Sequence, residues 1–298
     1  MPAVPAAWLW IPITIWAAFA QTVRNAAQRH LTGELGTLGA TLVRFLYGLP
    51  FAALWLAAVR HFSAAPIPLP GAPFLGWVAL GALSQIAATA LLLRTMQERN
   101  FAIGVAYSKT EILQVALFGF AFLGDPVRPL AAAAMVCGTL GVLLLSPLSR
   151  TGWTSKAAAM GLASGAGFAL SAVGYRGAAL ALPETTFMMA AACTLLAAQL
   201  VQSVLLGGWL LVRAPAVVAR TLRAWRVSLF AGFMGAAASA GWFTAFAIEP
   251  VAHVRTLGLV ELLFSYAVSR RFFLEKLSRR ELAGIALIAA GVAVILKA

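Results

Sequence analysis

Apolar runs long enough, or nearly long enough, to cross a bilayer recur ten times along this chain, and no other feature restricts its fold so severely. They occupy residues 8–23, 38–59, 75–93, 101–123, 130–146, 157–173, 185–212, 227–247, 251–268 and 282–296. A helix rises 1.5 Å per residue, so about 20 residues cover the roughly 30 Å of hydrocarbon. The runs at 130–146, 157–173 and 282–296 need flanking residues to complete a crossing. Trp8, Trp10, Trp77, Trp153, Trp209 and Trp225 lie near proposed ends, where an aromatic belt belongs. The pattern predicts an all-α integral membrane protein with ten transmembrane helices.

Composition removes the main rivals. Only 10% of the 298 residues are charged and 62% are apolar, against roughly a quarter charged in a typical soluble domain. The 22 Lys and Arg against 9 Asp and Glu give a net charge of +13. These basic residues punctuate apolar runs instead of forming a stripe, so no nucleic-acid partner is expected. Cys137 and Cys193 lack the short-spaced partners of a thiolate metal site and read as small buried thiols. No metal or cofactor is expected. The first run has no Lys or Arg before it and reads as a membrane helix, not a removed signal.

Orientation follows from the loops, because Lys and Arg resist translocation. One set of alternating loops holds fifteen basic residues, among them Arg24, Arg29, Arg94, Arg213, Arg220, Arg223, Arg226 and Arg279. The opposite set holds four: Arg60, Arg128, Arg176 and Lys297. The first set belongs in the cytoplasm, which puts both termini outside it. In 213–226 the arginines alternate with apolar residues, a composition suited to anionic headgroups. Membrane lipid is therefore an expected partner.

The sequence also repeats in outline. Val105-Ala106-Tyr107 answers Val251-Ala252-His253, and Lys109-Thr110 answers Arg255-Thr256, at an offset of 146 residues. The offset becomes 150 at Asp125 and Glu275 and holds through Gly141 and Gly291. Residues 1–148 and 149–298 then form two five-helix repeats. An odd number of spans per repeat gives the second the opposite orientation, and such inverted halves enclose substrate sites that open alternately to either side.

The segments FLGDPVRPLAAAAMVCGTLGVLLL and FLEKLSRRELAGIALIAAGVAVIL, together with Arg44 in the second run, resemble the ten-span drug/metabolite transporter superfamily, in particular its EamA-type members. Within it the chain looks most like bacterial exporters of aromatic and other amino acids, of the YddG-like kind. The resemblance implies a bacterial inner-membrane exporter with a central cavity, in which the Lys and Arg bias would place both termini in the periplasm. Asp125-Pro126 in the first turn and SRRF at 269–272 depart from the repeat.

Polar groups retained in apolar spans mark candidate sites. Lys109 lies about 12 Å into the fourth span, Glu261 about 15 Å and Arg255 about 6 Å into the ninth. For an amino acid, Lys109 would meet the carboxylate and Glu111 or Glu261 the ammonium group. The same side chains would alternatively pair with one another to hold the bundle together. Arg44 would neutralise a substrate anion or a protein carboxylate. Tyr107 and His253 occupy matching repeat positions, and a neutral hydrogen-bonding role suits His253 better than proton coupling. Trp242 and Phe246, four residues apart, share a helix face that would wall an aromatic cargo.

Gly161 and Gly165 form a GxxxG pair, and Gly138, Gly141, Gly284 and Gly291 suggest tight helix seams with a possible part in gating. Pro250 suits a sharp entry to the ninth span. No GxxxxGK[ST] or H-E-x-x-H motif occurs, and no enzymatic activity is expected. Exporters of organic cations, sugar-phosphate exchangers and a non-transport membrane scaffold remain as alternatives.

Overall fold

The structure is a computed structural model that describes residues 8–97, 108, 110–145, 155–182, 185–264 and 278–298. Among them there is no strand. The helices are α1 (Trp10–Leu46), α2 (Leu49–Ser63), α3 (Ala72–Gln97), α4 (Glu111–Leu123), α5 (Pro129–Leu145), α6 (Ser155–Leu180), α7 (Phe187–Arg213), α8 (Pro215–Arg223), α9 (Trp225–Ile248), α10 (Val251–Leu257) and α11 (Arg279–Ile295).

Four helical stretches among the described residues are long and apolar enough to cross a membrane: Gly33–Ser63, Ala72–Leu92, Phe187–Arg213 and Trp225–Ile248. They coincide with four of the ten expected runs. Elsewhere the helices are shorter, as in α5 and α11 with seventeen residues each, or carry polar groups. Large apolar side chains such as Val204, Trp209 and Leu211 of α7 stand exposed, an arrangement that water penalises and hydrocarbon does not.

The described residues form two compact units. The first takes Met1–Ile86 and Gly174–Glu249, the second Ala87–Val173 and Pro250–Ala298. Each unit therefore draws helices from both sequence halves, and the division falls within α3 and α6.

In the first unit α1 packs along α9, and α7 packs against α2 and α9. Leu42 and Phe45 of α1, Leu206 and Leu210 of α7 and Val218 of α8 form one buried cluster. The expected loop after the first run is helix instead: α1 continues through 24–35 and bends at Gly36, whose φ of 69° and ψ of 173° only glycine adopts readily. Arg24, expected in that loop, is 5% exposed. Hydropathy alone does not register the burial of Arg24 within this helix.

In the second unit α5 packs along α11 and α4 packs against α10. Gly124, at φ 69°, ends α4; the Gly124 and Asp125 amides donate to the Phe120 and Gly119 carbonyls and close the helix end. Ser278 and Glu281 form a reciprocal capping box that starts α11.

Candidate functional site

The second unit brings an acid and a base from distant parts of the chain together. Glu111 is the first residue of α4 and Arg255 lies in the last turn of α10. Arg255 Nε lies 3.2 Å from Glu111 Oε1, with the side chains 21% and 15% exposed. The contact is one of charge; its N–H is not aligned as a hydrogen bond. Each group also sits at the helix end whose dipole favours it. α10 stops after seven residues, the chain turns at 258–259, and helix resumes over 260–264. The ion pair thus lies beside a break in the ninth apolar run.

Other expected residues lie in the same unit. His253 is buried in α10, and Glu261, half-buried, donates its amide to the Gly258 carbonyl over 3.0 Å. Pro250 directly precedes α10, and its carbonyl accepts from the His253 and Val254 amides. Gly161 is buried in α6. Gly165 approaches so closely that a Cβ there would lie 2.8 Å from the Ser108 carbonyl oxygen. Tyr107 and Lys109 lie outside the described residues.

The glycines of α5 and α11 make a reciprocal seam. A Cβ on Gly141 would lie 2.7 Å from the Gly284 oxygen and 2.9 Å from the Ile288 amide nitrogen. One on Gly291 would lie 2.8 Å from the Ala134 oxygen and 3.0 Å from the Gly138 nitrogen. Exchanging the helices by a shift of 150 residues turns the first pair of contacts into the second. Gly138 itself faces Leu259, whose Cδ1 a Cβ would strike.

The first unit holds a buried polar group that the sequence reading missed. Tyr175 Oη donates to Gln85 Oε1 over 2.9 Å, and Gln202 Nε2 donates to Tyr175 Oη over 3.0 Å and to the same Gln85 oxygen over 2.5 Å. The Tyr175 ring stacks on Phe243 with centroids 4.3 Å apart. Gln85 and Gln202 interrupt apolar runs just as the charged candidates do, so extending the search to neutral amides would have found them.

Trp242 and Phe246 share a face of α9, with ring centroids 6.1 Å apart. Both are buried, and Trp242 Nε1 donates to Gln21 Oε1 of α1 over 3.0 Å. Arg44 lies in the last turn of α1, its guanidinium 5.5 Å from the Phe45 ring centroid. Its stem and that of Arg24 flank Gly235 of α9. Arg176, expected in an outer loop, is instead 8% exposed in α6. It donates to the carbonyls of Phe246 and Glu249, over 2.7 and 2.8 Å, and so satisfies the C-terminal end of α9.

No family model matches the chain, and no curated protein shows significant similarity to it. The structure is similar to a solved structure described as the crystal structure of a protein, with a TM-score of 0.71 and 17% identity. The match covers 97% of this chain and 94% of the other. The likeness is one of fold.

Proposed function

We propose that this chain is a membrane carrier that exports amino acids, aromatic ones included, by alternating access, as an EamA-type member of the drug/metabolite transporter superfamily. The observation that carries the reading is the Glu111–Arg255 pair beside a broken helix. Charges in apolar spans are expensive, and interrupted helices are where carriers expose backbone and charge to cargo. A zwitterion can replace this pair without leaving either charge alone. Its carboxylate goes to Arg255 or Lys109, and its ammonium to Glu111 or Glu261.

The reciprocal seam of α5 and α11 supports the reading of two related, oppositely inserted five-helix halves. Alternating access requires the cargo to stabilise one facing state over the other. Exchange between the internal ion pair and cargo contacts supplies such a difference. The basic loops favour an inner-membrane orientation with both termini periplasmic.

Proteoliposome counterflow tests the proposal with aromatic amino acids, other amino acids, organic cations and sugar phosphates across several pH values. Amino-acid counterflow is expected, with a loss of at least about tenfold in Lys109→Ala, the order expected when a charged group loses its partner. Normal amino-acid transport by folded Lys109→Ala removes that residue's carboxylate role. Sugar-phosphate exchange without amino-acid transport replaces the substrate class.

A further inference from the structure

The first unit carries an apolar groove of about 610 Å³ between α1, α2 and α9. Trp16 of α1 and Phe51, Leu54 and Trp55 of α2 wall it, and Phe233 to Thr244 of α9 form its floor. It is open to the outside of the unit: Trp16 is 51% and Leu54 64% exposed. Phe51 and Phe233 meet edge to face at one end, with centroids 5.2 Å apart.

The floor has a sequence logic. Phe233, Ala237, Ala240 and Thr244 follow one another at spacings of four, three and four, so they form one stripe of α9. Extended backwards by the same spacing, the stripe passes through Phe230 and reaches Arg226 in the first turn of α9. Arg226 thus stands about 10 Å along the axis from Phe233, and the lined stretch from Phe233 to Thr244 runs a further 16 Å or so. Small alanines open the space between aromatic walls.

Charge completes the pattern. Arg213, Arg220, Arg223 and Arg226 are all exposed, and residues 213–226 contain no acidic residue. Trp225 is exposed beside Arg226, whose guanidinium lies 5.4 Å from its ring centroid. A stacked guanidinium keeps its N–H edge available to an anion. A cationic, aromatic-flanked position on the helical stripe that floors a long apolar slot, about 10 Å beyond its last lining residue, matches a molecule with an anionic head and a hydrocarbon tail.

We infer that this groove holds one acyl chain of an anionic phospholipid, whose phosphodiester is received by Arg226. The inference requires only that α9 crosses a bilayer and is independent of the carrier reading. Protein that binds the lipid but moves no solute would leave the groove standing and remove the carrier.

Native mass spectrometry of the full chain in detergent, titrated with dioleoylphosphatidylglycerol or dioleoylphosphatidylcholine, tests it. Wild type should prefer the anionic lipid. Arg226→Gln should lose about fivefold of that preference, the worth of one basic residue near an anionic surface, and Arg226→Lys should restore most of it. Ala240→Leu, which fills the floor, should lower occupancy by both lipids. Variants that stay monodisperse with wild-type circular dichroism are compared. Equal binding of the two lipids by wild type, or unchanged occupancy in Ala240→Leu, overturns the inference.

Discussion

Glu111 and Arg255 each occupy a helix end that stabilises their charge, and both side chains are largely buried. A double-mutant cycle with Glu111→Gln and Arg255→Gln should therefore give a coupling free energy of about 1–3 kcal/mol by unfolding in detergent; additive effects would show that the pair is incidental. A second charge behaves differently. The Ser278 amide and hydroxyl hold the Glu281 carboxyl below its ordinary 4.5. Its contribution is complete above the unfolded value and vanishes as pH falls through the lower folded value. The protection of the Glu281 amide relative to its intrinsic exchange rate should fall on acidification, and Ser278→Ala should flatten that dependence. Glu111 and Arg255 were legible in sequence because a charge in an apolar run announces itself. Their mutual contact was not legible: the pairing expected from sequence joined Lys109 to Glu111 or Glu261, and spacing does not say which opposite charge a side chain meets. Arg24 and Arg176 were misplaced for a related reason: counting basic residues treats an arginine as solvated, whereas Arg176 is committed to backbone carbonyls.

Among the helices, α5 and α11 meet where neither tolerates a side chain. Gly141→Leu should destabilise the protein by at least about 1–3 kcal/mol, the usual cost of overpacking, because its Cβ would meet backbone atoms that cannot rotate away. Gly208→Ala in α7 is the control: nothing lies within 4 Å of the added carbon, and helix propensity predicts a gain of about 0.5–1 kcal/mol. Thermal unfolding of both in one detergent decides the matter, and a stable Gly141→Leu would contradict the seam. The four longest apolar stretches, Pro250 and the seam glycines could be read in advance, since periodicity and hydropathy record burial in lipid. The continuity of α1 could not. Arg24 looks like a loop residue until α9 supplies the space around Gly235.

Each compact unit is assembled from both halves of the chain, so the residues on either side of position 148 contribute helices to both units. Removing Arg24 and Arg176 from the loop count leaves fourteen basic residues on one side against three on the other, and the orientation expected from them is unchanged. In a background lacking Cys137 and Cys193, Arg220→Cys should react with a membrane-impermeant thiol reagent only after the cytoplasmic face is opened, and Ala65→Cys in intact cells. Labelling of both from one side would refute the topology. The bend in α1 adds a lesson about which sequences can build this molecule. Gly36 has empty space around it and Gly141 has none, so a library randomised at both would return two different filters. Handedness of the main chain would leave glycine alone at the first position. At the second, selection would rank residues by bulk, with alanine and serine the last to fail.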